Sequence, residues 1–332
     1  MSGARLLAMF SMLCACDPGK SHEDPAADTA AAEGEECVNQ SSDEPLSHEE
    51  AVALKSAFVY QGVAEPQALV LMFHGGGGEM ADHFERVDPE RITREALARG
   101  MAVASLNSAA HLDPDAGSEL QWHEGDYGDN PDLDEVEEMV RKLTSGAELG
   151  VVPEGTPLVL FGSSNGGSMA SRVAQVPSLD VAATAIYISN AVEFHEDDPV
   201  LPPMVLIPGE QDPGLALTTN TTLADEIGDP QLALLHVNPP EPVSDALLTR
   251  ISGVDCELAG TILADLIAGG FVDDDGTVLA DPNADTSWRD LLSGAASDHE
   301  LDIKDVLVEA YAGHAPSSDQ NEVVFDFVES NL

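Results

Sequence analysis

The amino-acid sequence predicts an α/β fold in which a mostly parallel sheet is covered by helices on both faces. Short, uninterrupted apolar runs recur along the chain and stop at glycine or polar residues, as buried parallel strands do. Segments of helical length separate these runs, and this alternation is typical of parallel sheets. The chain has 332 residues, of which 43% are hydrophobic, so it can bury a substantial core.

The expected elements follow in chain order. The predicted strands are Ala68–Phe73, Met101–Leu106, Pro157–Phe161, Val181–Ser189, Met204–Ile207 and Val306–Tyr311. The predicted helices are Glu90–Arg99, Asn130–Thr144 and Ser164–Val176. Gly100 suits the C-terminal end of the first helix, and Asn130-Pro131 is a typical start for the second.

Residues 1–16 are predicted to be a signal peptide. Leu6–Ala15 is an apolar run of ten residues behind Arg5, too short to cross a bilayer but suited to secretion. The stretch Leu13-Cys14-Ala15-Cys16 resembles the bacterial lipobox, which implies cleavage before Cys16 and a lipid on its sulfur. Residues 17–45 lack apolar periodicity and are predicted to be a flexible acidic tether ahead of a folded domain at 46–332. The alternative is an ordinary signal peptide that releases a periplasmic or secreted protein.

Two further cysteines, Cys37 and Cys256, would face an oxidising compartment after export. If they pair, they pair with each other, since Cys14 and Cys16 belong to the signal region. Two unpaired thiols are the alternative.

The charge of the chain excludes two classes of partner. Against 61 Asp and Glu stand 13 Lys and Arg, for a formal net charge of −48. Such a surface repels the phosphates of nucleic acids and the headgroups of anionic lipids. We therefore expect no nucleic-acid partner, and contact with a membrane only through the N-terminal lipid anchor.

The segment Gly162-Ser163-Ser164-Asn165-Gly166 lies between a predicted strand and a predicted helix. It fits the G-x-S-x-G pattern, in which a tight strand-to-helix turn presents the middle serine. Ser164 is therefore the predicted nucleophile, and Ser163 occupies the variable position.

A second glycine-rich segment, His74-Gly75-Gly76-Gly77-Gly78, directly follows the predicted strand Ala68–Phe73. The amides of Gly75 and Gly76, with that of Asn165, are predicted to form an oxyanion hole. We interpret His74 as a structural residue that positions this loop. The alternative is a flexible glycine loop without such a role.

Asp212 and His314 each follow a late predicted strand. A serine hydroxyl needs a base, and the base needs a carboxylate that orients it, so the two residues complete a predicted triad. The chain order Ser164, Asp212, His314 is that of α/β-hydrolases. Glu210 is the strongest rival for the acid, followed by Glu193.

These motifs resemble the α/β-hydrolase superfamily, in particular the secreted polyhydroxybutyrate depolymerase and feruloyl esterase group. The residues that carry the resemblance are HGGGG at 74–78, GSSNGG at 162–167, GEQD at 209–212 and AGH at 312–314. The resemblance implies an α/β-hydrolase fold. It also implies a substrate contact for Trp122.

The interval between Asp212 and His314 is longer than is usual in that group. Residues from about 215 to 304 contain apolar helical stretches at Asp245–Ile251 and Leu258–Ile267, and are predicted to form a cap over the catalytic face. Asp273-Asp274-Asp275-Gly276 fails the EF-hand spacing and is interpreted as a polar hairpin turn. The histidines show no zinc spacing, so neither a metal nor a cofactor is expected.

The predicted function is that of a serine hydrolase acting on a small-molecule or polymeric carboxylic ester through an acyl-enzyme at Ser164. A prolyl-oligopeptidase-type peptidase is the nearest alternative within the same chemistry. A catalytically silent surface lipoprotein that uses the fold for binding is the alternative from another class.

Overall fold

A computed structural model describes the chain at residues 37–40, 45–112, 120–125, 128–191 and 201–332. The predicted signal peptide with Cys16, most of the predicted tether and Glu193 lie outside these residues. Within them, no helix combines the length and apolar character that crossing a membrane requires.

Eight strands form one sheet. Their bounds are β1 Glu49–Val52, β2 Ala57–Gln61, β3 Leu69–Phe73, β4 Ala102–Leu106, β5 Leu158–Ser163, β6 Val181–Tyr187, β7 Met204–Ile207 and β8 Ala233–Leu235. The spatial order is β1-β2-β4-β3-β5-β6-β7-β8. Strand β2 pairs antiparallel with β1 and β4, and all other neighbours are parallel. This order and these directions are those of the α/β-hydrolase fold, as predicted.

Helices cover both faces of the sheet. Their bounds are α1 Asp82–Glu85, α2 Val87–Ala98, α3 Pro131–Thr144, α4 Asn165–Val173, α5 Ala216–Ile227, α6 Asp245–Leu248, α7 Cys256–Ala268, α8 Glu300–Ala310 and α9 Asn321–Glu329. Side chains along β3 alternate between two apolar layers. Leu69, Leu71 and Phe73 share a layer with residues of α3 and α4, whereas Val70 and Met72 share one with residues of α2 and α9.

Five of the six predicted strands are confirmed, with ends that differ by at most two residues. All five positions of β3 and all five of β4 are buried, which explains why they appear as uninterrupted apolar runs. The helix predicted to open at Asn130-Pro131 is confirmed as well. Its N-cap Asn130 accepts a hydrogen bond from the Asp132 amide at 2.9 Å.

The prediction of a strand at Val306–Tyr311 is wrong, because these residues lie in and directly after helix α8. The buried positions Ile303, Val306, Leu307 and Ala310 repeat with the three- and four-residue spacing of a helix. The helical period is not visible in residues 306–311 alone, because its first buried residue, Ile303, lies before that range.

The segment predicted as a cap, about 215–304, divides between two parts of the structure. Helix α5 and strand β8 extend the sheet, so residues 216–235 belong to the α/β core. Residues from 243 onward build a separate apolar cluster with α6, α7 and the fully buried Trp288, and this cluster also contains Val87 of α2 and residues of α8. The turn prediction for Asp273–Gly276 is confirmed by the Val272–Val278 antiparallel bridge and the positive φ of 86° at Gly276.

A disulfide joins Cys37 to Cys256, with a separation of 219 residues along the chain. Cys256 is the first residue of α7, whose N-cap Asp255 accepts a hydrogen bond from the Leu258 amide at 2.9 Å. The neighbouring hydroxyl of Thr249 donates to the carbonyl of Val38 at 3.1 Å. The disulfide and this hydrogen bond together hold the start of the folded unit on the inserted helices.

Substitution Cys256→Ser should lower the free energy of unfolding, because opening a 219-residue loop restores conformational entropy to the unfolded chain. The chain-entropy relation sets an upper limit of about 5 kcal/mol. The measurement is urea unfolding followed by circular dichroism. Cys37→Ser should lose as much, and the double substitution no more than either single one. Unchanged unfolding midpoints in both single variants would contradict the expected role.

Candidate active site

Ser164 lies at a tight turn between β5 and α4. Its backbone has φ 53° and ψ −125°, a conformation that side chains seldom adopt. A Cβ at Gly162 would lie 2.2 Å from the carbonyl oxygen of Gly166, and one at Gly166 would lie 2.1 Å from that of Phe73. Both positions therefore require glycine. The turn raises the Ser164 hydroxyl above the carboxyl end of the sheet.

His314 lies in the loop after α8, and its imidazole connects two of the predicted residues. Nε2 is 2.7 Å from Oγ of Ser164, and Nδ1 is 3.1 Å from Oδ2 of Asp212. The Nδ1–H donates to the carboxylate, which leaves Nε2 free to accept the proton of the serine hydroxyl. The geometry matches a nucleophile, its base and an orienting acid.

Two loops meet to bring the base and the acid together. The amide of Gln211 donates to the carbonyl of Ala312 at 3.0 Å. A Cβ at Gly209 would lie 2.3 Å from the same carbonyl oxygen, so only glycine permits this approach. The contact places Asp212 beside His314 although 102 residues separate them along the chain.

The environment of Asp212 keeps its carboxylate ionised. The side chain is 1% exposed, and this burial alone would raise its pKa. The hydrogen bonds from His314 and from the Gly214 amide, with the attraction of the imidazole, outweigh burial and hold the pKa of Asp212 below its usual range. A negative carboxylate is the form that stabilises a protonated His314.

Glu210, the main rival for the acid, is exposed. Its amide donates to the carbonyl of Asn238 at 2.9 Å, and the described residues show no hydrogen bond or ion pair between its carboxylate and His314. Glu193 lies outside the described residues. The geometry favours Asp212.

The glycine loop after β3 lies against the turn that carries Ser164. A Cβ at Gly75 would lie 3.6 Å from the Cβ of Ser164, and one at Gly76 would lie 4.0 Å from that of Asn165. The amides of Gly75 and Gly76 have no acceptor among the residues that the structure describes. Asn165 is the first residue of α4, where helix amides have no partner within the helix. The amides of Gly75, Gly76 and Asn165 thus lie close to Ser164.

Trp122 does not contact the substrate pocket, contrary to the prediction from the family resemblance. Its side chain is 3% exposed and packs against Phe73 and His74. Its indole N–H donates to the carbonyl of His74 at 2.8 Å, and its amide donates to Oδ1 of Asn165 at 2.6 Å. Trp122 therefore supports the oxyanion loop from behind.

His74 is buried beneath the same loop, as its structural interpretation requires. Its Nε2 accepts a hydrogen bond from the Ser108 amide at 3.4 Å, so Nδ1 carries the proton and donates to the carbonyl of Gly75 at 2.8 Å. Burial lowers the pKa of His74 to about 4. The ring is thus neutral near pH 7 and keeps one tautomer, which orients Gly75.

Ser164 and His314 border two depressions. The larger has a volume of about 370 Å³, and its wall includes the glycine loop, Arg86 and Lys304. The smaller has a volume of about 190 Å³ and includes Asp212 and Leu215. Neither Arg86 nor Lys304 was predicted as a site residue from the sequence. Lys304 and Val308 are four residues apart, so a prediction of α8 as a helix would have placed these two on one helix face.

No group of three or more His, Cys, Asp or Glu in the described ranges could hold a metal ion. The site as described brings together a serine hydroxyl, an imidazole, a carboxylate and backbone amides.

A buried carboxyl pair lies beneath the His314 loop. Glu309 is 4% exposed; its Oε1 accepts from the Ser317 hydroxyl at 2.8 Å and lies 3.5 Å from the guanidinium of Arg250. Burial, and then the repulsion and hydrogen bond of Asp88, raise the pKa of Glu309 well above its usual value, although Arg250 opposes this. Glu309 therefore binds its proton more tightly in the folded protein than in the unfolded chain.

Substitution Glu309→Gln should stabilise the protein increasingly as pH rises. The folded state holds a proton that the unfolded chain releases near pH 4.5, so the contribution of Glu309 to stability is lost between that pH and its raised pKa. Glutamine keeps the acceptor for Ser317 and has no charge to bury. The measurement is the melting temperature of variant and parent from about pH 5 to about pH 8.

The exposed Glu322→Gln provides the control, whose melting-temperature difference should stay constant over this range. A constant difference for Glu309→Gln would contradict the raised pKa of Glu309.

Comparisons with known proteins found similarity to solved structures only. No protein-family model and no curated protein matches the chain. A solved α/β-hydrolase, MGS-M1 from a Medee basin deep-sea metagenome library, shares 17% identity and covers 60% of this chain and 85% of its own, with a TM-score of 0.42. A cold-adapted esterase from an Arctic intertidal metagenomic library shares 18% identity over 58% of this chain and 83% of its own, with a TM-score of 0.42. The carboxylesterase EstE1, also from a metagenomic library, shares 13% identity over 60% and 80%, with a TM-score of 0.43.

Proposed function

We propose that the protein is a serine hydrolase that cleaves carboxylic esters through an acyl-enzyme at Ser164. The observation that carries this proposal is the continuous hydrogen-bonded series from Asp212 to His314 to Ser164, at 3.1 and 2.7 Å. A serine hydroxyl aimed at a neutral imidazole nitrogen is the arrangement that makes it nucleophilic near pH 7.

In the first half of the proposed reaction, Oγ of Ser164 attacks the acyl carbon while its proton passes to Nε2 of His314. The ionised Asp212 stabilises the imidazolium that forms. The negative oxygen of the tetrahedral intermediate accepts hydrogen bonds from the amides of Gly75, Gly76 and Asn165. As the intermediate collapses, the bond to the alcohol oxygen breaks and the alcohol leaves with the proton of His314.

In the second half, a water molecule attacks the acyl-enzyme. His314 takes one proton of the water, the new carbon–oxygen bond forms, and the bond to Ser164 breaks as the proton returns to its Oγ. The products are a carboxylic acid and free enzyme. The two depressions on either side of Ser164 and His314 give the acyl and alcohol halves of an ester separate places.

The substrate class within this proposal is a small-molecule or polymeric ester, in line with the resemblance to polyhydroxybutyrate depolymerases and feruloyl esterases. The larger pocket, of about 370 Å³, is of a size to hold a short acyl chain or one aromatic ring. A panel of para-nitrophenyl esters of increasing chain length, run beside peptide anilides, tests this class. Faster cleavage of the anilides would favour the peptidase alternative.

Substitution Ser164→Ala should reduce kcat by at least about 10⁴-fold on a para-nitrophenyl ester, because the covalent route is lost. Ser163→Ala is the matched control, with the same chemical change one residue earlier, and should keep most of the activity. A fluorophosphonate probe should label the parent and Ser163→Ala but not Ser164→Ala. Equal labelling of all three, or none in the parent, would overturn the proposal and favour a silent binding protein.

Substitution Asp212→Asn should lower kcat by about 10⁴-fold, because an amide cannot hold Nδ1 of His314 protonated or stabilise the imidazolium. Glu210→Gln removes a charge from the same loop and should change kcat less than about threefold, as an exposed side chain away from the histidine would. Steady-state kinetics on one ester compare the two variants. Equal losses, or the larger loss in Glu210→Gln, would contradict the assignment of the acid.

A further inference from the structure

Lys304 lines the larger pocket beside Ser164 and His314. It lies on α8 one turn before Val308, which lines the same pocket, so the two residues share a helix face. Lys304 is partly buried. It is one of four lysines in a chain that has 61 acidic residues.

The ammonium group of Lys304 has no hydrogen-bond or ion-pair partner within the described residues. Every other Lys or Arg in those ranges, apart from the exposed Lys55, has a carboxylate, carbonyl or hydroxyl partner. Where carboxylates outnumber cations this strongly, an unpaired and partly buried ammonium beside a nucleophile indicates a ligand of opposite charge.

The neighbouring charges of the pocket already have partners. The guanidinium of Arg86 donates to Oδ2 of Asp305 from Nε at 3.1 Å and from Nη2 at 2.6 Å, and lies 3.9 Å from Asp82. Asp88 is 3% exposed and its Oδ1 accepts from the Ser318 amide at 3.1 Å. Three carboxylates, Asp82, Asp88 and Asp305, and two cations, Arg86 and Lys304, thus line the pocket. Of these five charged groups, the ammonium of Lys304 is the one without a hydrogen-bond or ion-pair partner among the described residues.

Two histidines of the pocket wall do not add to this charge. Burial lowers the pKa of His74 to about 4 and that of His83 to about 3, so both rings are neutral near pH 7. A second polar side chain, Asn283, lines the pocket and offers amide donors. Asn283 and Lys304 both line this pocket, and both side chains can donate hydrogen bonds.

Building on the proposed function, we propose that Lys304 binds a carboxylate on the ester substrate. The preferred substrates are then half-esters of dicarboxylic acids, or esters whose alcohol part bears a carboxylate. Lys304 acts as a specificity residue that touches the non-reacting end of the substrate, while Ser164 and His314 act on the ester bond.

The net charge of −48 repels an approaching anion, whereas Lys304 attracts it. The distance over which each force acts decides which of them dominates in the pocket. At physiological ionic strength, charges are largely screened beyond about 8 Å. A carboxylate in the pocket would contact Lys304 at hydrogen-bond distance, well within that length. The local attraction therefore governs binding, and the distant surface mainly slows the encounter.

The experiment compares Lys304→Met with the parent on two matched pairs of esters. The first pair carries the charge on the acyl side: mono-para-nitrophenyl adipate and its methyl ester. The second carries it on the alcohol side: para-acetoxybenzoate and its methyl ester. Each pair differs only by a methyl group that removes the carboxylate charge. The readout is the release of the phenol, as kcat and KM separately.

The expected result is a loss of about tenfold in kcat/KM for the charged member of one pair, mainly through KM. Its methyl ester should change less than about twofold, since it lacks the group that Lys304 binds. The pair affected shows which half of the ester occupies the larger pocket. Lys304→Arg should restore much of the loss. The exposed Lys55→Met, which removes the same charge elsewhere, should leave all four esters unchanged.

Equal effects of Lys304→Met on both members of both pairs would overturn the inference. The proposed function would stand in that case, provided that the parent cleaves the neutral esters and a fluorophosphonate labels Ser164. A parent that cleaves no ester and is not labelled would overturn the proposed function, and this inference with it.

Discussion

One close contact, between the start of α4 and the end of β3, determines most of the site. With a side chain at Gly166, its Cβ would be 2.1 Å from the carbonyl oxygen of Phe73 and 2.4 Å from that of His74. Because this approach is possible only with glycine, the helix that begins after Ser164 lies directly beside the strand that ends at His74. Ser164 and the glycine loop that begins at His74 are therefore positioned by a single steric constraint, which costs backbone strain at Ser164.

The acid and the base depend on a similar approach at the neighbouring edge. Gly209 packs against the carbonyl of Ala312, a residue that itself has a positive φ of 54°. Both partners of this contact lie in loops that directly follow regular elements, β7 and α8. This explains how Asp212 and His314 stay in hydrogen-bond distance across 102 residues of sequence.

The parts of the fold that were predicted correctly are those in which a residue type is required for a single physical reason. Uninterrupted apolar runs marked the buried parallel strands, and glycine at 162 and 166 marked the turn that admits no side chain. Strands β1, β2 and β8 were not predicted. Strand β1 is largely exposed and β8 has three residues, whereas β2 is buried at its three central positions. The prediction for Trp122 was wrong because an aromatic residue near a motif can face either the substrate or the core. The hydrogen bonds that decide this are donated by Trp122 to His74 and Asn165, which lie far from it in the sequence. The place of Lys304 in the wall of the larger depression could not be predicted, because α8 was predicted as a strand.

Buried and exposed carboxylates have different surroundings in this protein, and the net charge of −48 does not distinguish them. At the surface, most carboxylates are solvated, and their mutual repulsion falls off within about a Debye length. In the interior, a carboxylate needs a proton or a cation, and Glu309 illustrates both with Asp88 and Arg250 beside it. Two ion pairs lie at the junction of α2, α8 and the 318–320 turn, Arg86 with Asp305 and Arg250 with Asp319, and the Arg250 side chain is 11% exposed. In a chain with so few positive charges, one that has no carboxylate partner and borders the proposed nucleophile is a feature that solubility does not explain.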